Sequence, residues 1–210
     1  YLDGEVAEKD LLNALKFIQS FIVRRSFLGI EPTGMKSLFQ DMWDKCRLDI
    51  SKMNDKIAKS STQSFPSNSE FSESILTAEL YRKKLNKFVL TQYEKDINRN
   101  IEEVNLDLSK STIDHIYPQK QSTPWGAKFS ESDHQKYLHT WSNLVLLTQP
   151  DNSSKLTKSW EKTQDIYRKD PFVSTKEVAK YKDWNIDSIF DRAEKLKTWA
   201  LKRWVYPTEL

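Results

Sequence analysis

The 210-residue sequence contains a single cysteine, Cys46, only four glycines and only three histidines. A lone cysteine excludes an internal disulfide and cannot form a metal site alone, and it fits a reducing compartment. Glycine is scarce while Lys, Glu, Asp and Leu are plentiful, a balance that favours helix. No apolar run is long enough to span a bilayer, there is no signal-peptide pattern, and the first residue is not Met. The expectation is a soluble cytoplasmic fragment, one large domain or two small ones, without a membrane partner.

A strong charge of either sign is also missing. The net charge is +3, too modest to establish a nucleic-acid partner, but it is unevenly spread. Residues 1–109 hold 16 Lys and Arg against 17 Asp and Glu, whereas residues 110–210 hold 17 against 13. The excess lends phosphate binding weak support, because charged faces are most often simply solvated.

Apolar periodicity predicts a helix from Glu5 to Leu28 ending near Gly29, a second from Met35 to Ile57 and a third from about Ser74 to Asn98. Ser60 to Ser69 reads as a loop. Thr112 to Ile116 and Leu144 to Leu147 are short and rich in β-formers. Asp151 and Asn152 can cap a helix running towards Arg168, Pro171 breaks it, and Ile186 to Trp204 reads as a closing helix. The expected fold is therefore mainly α. It is a helical bundle in three regions: 1–109, a strand-loop-strand-helix core at 110–170, and a closure at 171–210.

All three histidines fall in that core. Its stretch runs Ile113-Asp114-His115-Ile116-Tyr117-Pro118, then a polar and aromatic connection, then Asn143-Leu144-Val145-Leu146-Leu147 and Asp151-Asn152-Ser153-Ser154-Lys155. Hydrolysis of a phosphodiester needs a base for water, a cation for the added negative charge and stabilisation of the leaving alkoxide. An imidazole with an unperturbed pKa of ~6.5 suits the first task, which singles out His115. Asp114 and Asn152 offer hard oxygen ligands, better matched to Mg²⁺ or Mn²⁺ than to zinc, and so few carboxylates point to a single ion.

These residues resemble the HNH, or His-Me finger, nuclease motif. The resemblance implies a ββα-metal unit with His115 as general base, Asn143 pinning the hairpin and Asp114 with Asn152 as metal ligands. Asn152 stands where the family often has His. Lys155 would lie one helical turn beyond it, near a phosphate, and Lys158 and Lys120 are further candidate DNA contacts. Many HNH enzymes carry Cys-x-x-Cys pairs around a structural zinc; here the matching positions are Thr148 and Asp151, so no structural zinc is expected.

A wider resemblance includes Phe17 to Arg25, the nuclease motif, Trp184 to Ile189, Arg192 and Trp204. Together these look like the C-terminal half of GmrSD-type modification-dependent restriction proteins, whose relatives include effectors responding to phosphorothioated DNA. The resemblance implies a DNA endonuclease for restriction and antiviral defence, acting on DNA that carries a modification. It also implies an N-terminal ParB-like nucleotide-binding sensor, as a missing domain or partner subunit.

Simpler readings stand beside these. Asn143 also starts a strand and Asn152 also caps a helix. His134 and His139 have weaker claims, as surface or supporting residues; His139 is the better placed because it precedes the Asn143 strand. Trp125, Tyr137 and Trp141, interleaved with Lys120, Lys128 and Lys136, either flank nucleic acid or pack a glycine-poor loop. The competing class is an inactive nuclease-like module for DNA binding or protein interaction; a further alternative is a helical scaffold whose motif is accidental.

Overall fold

The structure is a computed structural model describing residues 7–98, 107–120, 125, 128–155 and 158–209. Among these residues it contains ten α-helices and one two-stranded sheet, a mainly α fold. Contacts divide the chain into two units, one made of residues 1–74 and 197–210 and the other of residues 75–196.

The first unit is built on α1 (Glu8–Leu28), α2 (Met35–Cys46) and α3 (Ile50–Ala58). Helix α1 stops where expected, because Gly29 takes a left-handed φ of 70° and turns its N–H back onto the carbonyls of Arg25 and Ser26. The expectation for Glu5 and Val6 lies outside the described residues. Helices α2 and α3 replace the single helix expected from Met35 to Ile57. Arg47 and Leu48 adopt positive φ values of 49° and 62°, and the Asp49 side chain accepts a hydrogen bond from the Lys52 amide, which starts a new helix. The break lets Leu48 join Ala14, Phe17, Phe21, Met42 and Met53 in one core. The buried Arg24 guanidinium donates to the carbonyls of Trp204 and Pro66 and to Asn68, so the Phe17–Arg25 stretch serves packing within this unit.

The expected third helix is also interrupted. Helix α4 (Asn68–Thr77) begins inside the stretch read as loop. Ser67 and Glu70 form a reciprocal capping box, with the Ser67 amide donating to the Glu70 carboxylate at 2.9 Å and the Glu70 amide to Ser67 Oγ at 3.2 Å. A 3₁₀ turn (Leu80–Arg82) then separates it from α5 (Asn86–Ile97). The turn is held by the Tyr81 amide donating to the carbonyl of His139, a long-range bond that local periodicity cannot announce.

The second unit carries the hairpin. Strand β1 (Thr112–His115) pairs antiparallel with β2 (Leu144–Leu147), with Asp114 opposite Val145 and His115 opposite Leu144. The connection, expected as loop, contains α6 (Glu131–Tyr137), which Ser130 caps through the Asp133 amide. After β2 come α7 (Gln149–Lys155) and α8 (Trp160–Lys169), where one helix was expected, then α9 (Val173–Val178) and α10 (Ile186–Arg203). Helix α7 starts before Asp151, so Asn152 lies within it and does not cap it; its own amide already donates to the Thr148 carbonyl.

Every residue of β2 is buried, in a core with Trp125, Trp160, Tyr167 and Trp184 around it. Trp125, Tyr137 and Trp141 are all buried, which decides their case: they pack the unit and do not offer faces to a ligand. Two buried carboxylates organise the hairpin's surroundings. Glu94 of α5 accepts the first amides of α9, those of Val173 and Ser174, at 2.8 Å each, where negative charge complements the helix dipole. Asp170 joins the end of β2 to α9 by accepting the Thr148 and Phe172 amides.

Candidate active site

Strand, turn and helix meet through Asn143. Its side-chain oxygen accepts the Tyr117 amide at 2.9 Å and the Trp184 indole at 3.2 Å. Its nitrogen donates to the carbonyls of Tyr117 at 3.1 Å and Leu138 at 3.0 Å. Two donations and two acceptances fix the amide orientation and tie the chain just after β1 to the residue just before β2. The backbone adds the Ile116 amide donating to the Asn143 carbonyl.

Beyond this anchor, β1 sends alternate side chains to different neighbours, as the two-residue period of a strand requires. Thr112 and Asp114 meet α7 and α8. Asp114 Oδ2 receives the Lys155 ammonium at 2.8 Å and the Tyr167 hydroxyl at 2.6 Å, while Lys155 also donates to the His115 carbonyl. Lys155 is only 2% exposed, which corrects its expected role. It stands on the expected helix, but its charge neutralises Asp114 inside the protein and cannot face a phosphate in solvent. Burial lowers its pKa, and Asp114 opposes that shift. Lys120 and Lys158, by contrast, are exposed.

Asn152 is held on the same side. Thr112 Oγ1 donates its single proton to the Leu147 carbonyl at 3.0 Å, so towards Asn152 the hydroxyl can only accept. The Asn152 amide nitrogen therefore faces Thr112, at 2.9 Å, and its oxygen is left as an acceptor. Asp114 likewise keeps Oδ1, since among the described residues both its side-chain contacts fall on Oδ2. One oxygen from each residue is thus available on facing surfaces of β1 and α7, a donor set fitting a hard divalent cation that retains several waters. Among the described residues, no group of three His, Cys, Asp or Glu side chains gathers as a metal cluster.

His115 points elsewhere. It is 5% exposed, its Nε2 lies 3.1 Å from His139 Nδ1, and its Nδ1 lies 3.3 Å from the Gln119 amide nitrogen. Tyr81 covers both histidines, its ring centroid 4.4 Å from that of His115 and stacked at 14° on His139, 5.4 Å away. Burial, then the neighbouring His139 and Lys155, lower the pKa of His115 to about 3, well below the unperturbed value near 6.5. The imidazole is therefore neutral at physiological pH. His139 is also lowered, chiefly by burial.

Tyr81, Tyr167 and Thr112 are not recognisable as site residues from sequence, because apolar periodicity and strand propensity give such residues a packing role. Only Thr112, two residues before Asp114 and hence on its face of β1, carried a usable signal. His134, the remaining histidine, lies 3.0 Å from the Pro118 carbonyl and supports the connection.

Taken together, the second unit holds a short antiparallel hairpin pinned by an asparagine and followed by a helix, with a buried histidine and two open side-chain oxygens beside it. The family model for the C-terminal domain of GmrSD restriction endonucleases matches residues 65–199, and the chain belongs to that family. This membership gives it a restriction-related nuclease role with DNA as substrate. No curated protein matches it. Among the described residues, no helix is long and apolar enough to cross a membrane.

Proposed function

We propose that this chain is an HNH-type, divalent-metal-dependent DNA endonuclease in which His115 is the general base. The observation that carries the reading is the hydrogen-bond lock on Asn152, which leaves its side-chain oxygen as an acceptor on the helix facing Asp114. Asp114 and Asn152 would hold one Mg²⁺ or Mn²⁺ ion, which when bound supplies charge neutralisation for the phosphate. Asn143 keeps the hairpin in register.

The proton inventory follows from the hydrogen bonds. With the Gln119 amide donating to Nδ1, His115 carries its proton on Nε2 and donates it to His139 Nδ1. Gln119 is exposed, so its side chain can leave and open the Nδ1 lone pair to water. His115 then takes the proton of the attacking water at Nδ1, and Tyr81 and His139 keep the ring from turning. Lys120 and Lys158 are assigned to DNA phosphates. Selection of modified DNA is assigned to a ParB-like N-terminal region, and one active site per chain cuts one strand per visit.

Plasmid cleavage with Mg²⁺ or Mn²⁺, with and without chelator, tests the proposal. His115→Ala is expected to lose more than ~10²-fold in rate while staying folded; near-normal cutting by that variant removes the assignment. The competing reading, an inactive DNA-binding or protein-interaction module, draws on the commitment of Asp114 Oδ2 to Lys155 and Tyr167. It gains if no metal condition yields cleavage while DNA still binds.

A further inference from the structure

Arg192 of α10 is a buried cation that the proposed nuclease chemistry does not use. It is 5% exposed, and its Nη1 donates to the carbonyls of Ser142 at 2.7 Å and Leu144 at 2.9 Å, the residues on either side of Asn143. Among the described residues no carboxylate approaches within ion-pair distance of it, and neither Nε nor Nη2 makes a hydrogen bond. A guanidinium is planar, so fixing Nη1 on two carbonyls also fixes the direction of the Nε and Nη2 edge. That edge is a two-pronged donor matched to two oxygens of one oxyanion. Glu177 acts on this charge through space without a salt bridge, and a buried charge compensated only at a distance is costly.

The guanidinium lines a pocket of about 430 Å³, within the range of small-ligand sites, walled by the rings of Tyr93 and Tyr181. Glu177, Lys180 and Lys195 complete its charged lining, so cations outnumber the carboxylate three to one. The carboxylates nearby are engaged elsewhere: Glu177 accepts the Tyr93 hydroxyl at 2.9 Å, and Asp191 accepts the Tyr181 hydroxyl and the Lys195 ammonium at 2.6 Å each. Glu177 keeps its second oxygen and acts on Arg192 through space, but neither carboxylate bonds the Nε and Nη2 edge, and the exposed Lys180 adds a second positive group at the rim.

We propose that this pocket binds a phosphate group through the Nε and Nη2 edge of Arg192, with Lys180 and Lys195 at its mouth. The phosphate belongs either to a free nucleotide or to a nucleic-acid backbone, and the volume leaves space beside it for more than a bare ion. The site is separate from the Asp114 and His115 surfaces, and its test needs no cleavage.

The 210-residue chain is titrated in EDTA at fixed ionic strength with inorganic phosphate, with thymidine 5′-monophosphate and with a short DNA duplex, followed by the ¹⁵N-resolved Arg192 Nε–H resonance. Saturable movement of that resonance is expected. Binding by phosphate or the mononucleotide identifies a free nucleotide as the source; binding by the duplex alone identifies the backbone. Lys180→Glu and Lys195→Ala should each weaken binding roughly fivefold or more, while Lys162→Glu on α8, outside the pocket, leaves it unchanged. Arg192→Lys, which keeps the charge but not the fork, should lose saturable binding; if it does not fold, the lysine variants still decide. No saturable binding of any probe up to about 10 mM, an Arg192 signal that does not move, or equal losses in Lys162→Glu and the pocket variants overturns the proposal. Absence of nuclease activity leaves it untouched, because every titration is metal-free.

Discussion

Replacing Lys155 with methionine removes a charge that is 2% exposed but keeps the length of the side chain. At 2.8 Å from Asp114 Oδ2 and an effective dielectric of ~20, the attraction is about 6 kcal/mol before desolvation is subtracted. What the variant loses is governed by what remains: a buried Asp114 carboxylate whose other contact on Oδ2 is the Tyr167 hydroxyl. Stranding a buried charge in this way costs about 3–5 kcal/mol. Asp114→Asn should lose a similar amount by stranding Lys155, whereas Lys155→Met combined with Asp114→Asn should lose much less than the two losses added. Equilibrium urea unfolding of the four proteins measures this directly. A coupling of about 2 kcal/mol or more is expected, and a Lys155→Met loss under about 1 kcal/mol, or losses that simply add, would refute the buried pair. The same variant, compared at a temperature where it stays folded, should leave the salt dependence of DNA binding unchanged, since a lysine inside the protein releases no counter-ion from DNA.

The exposed lysines behave differently. Lys120→Ala or Lys158→Ala should weaken binding to unrelated DNA sequences alike and lower the log-log salt slope by roughly 0.9 each; an unchanged slope removes that residue from the interface. His139→Leu should lower kcat far more than KM, and His139→Gln, which can still accept a hydrogen bond from His115 Nε2, should recover part of it; equal losses in the two variants would show that only bulk matters. Stability should be nearly flat between pH 4 and 6 because two buried groups oppose each other. His115, lowered to about 3 in the fold against ~6.5 unfolded, adds about 2 kcal/mol as pH rises through that window, while Asp170, raised by burial to about 6 against ~3.9, removes a similar amount. His115→Gln should therefore lose stability from pH 4 to 6 and Asp170→Asn should gain it, as urea midpoints will show; parallel profiles for the two would contradict both shifts.

The strands were legible to within a residue because four consecutive apolar residues after Asn143 and the β-rich run before Ile116 leave little alternative. Helices α1 and α10 were equally plain, long and periodic. The breaks were not, although two carried local signals that periodicity overrode: Asp49 as an N-cap, and Ser67 with Glu70 as a capping box. The turn at Tyr81 had no local signal, since its tie to His139 spans 58 positions of sequence. In the site, residue types and spacing identified Asp114, His115, Asn143 and Asn152 as candidates, but not the neighbours that set their state. A lysine three residues after Asn152 looks like a phosphate contact until the fold buries it against Asp114. A histidine looks poised near neutrality until burial lowers it.

The two faces of β1 explain why the hairpin needs so elaborate an anchor. A four-residue strand pair has few backbone bonds with which to choose its register, and a slip by one residue would exchange the faces. Asp114 would then turn away from Lys155 and Tyr167, leaving a buried ammonium and a buried phenol without their partner, and His115 would turn from His139 into the space of α7. Nothing in the local sequence Thr-Ile-Asp-His forbids that slip, since Ile113 and Thr112 both suit a strand. What forbids it is Asn143, which grips both the amide and the carbonyl of Tyr117, together with Arg192, which holds the carbonyls flanking Asn143. The register of β1 is thus set from outside the strand, by side chains that read backbone positions one by one. The separation of the Asp114 face from the His115 face is a property of those anchors as much as of the Asp-His pair.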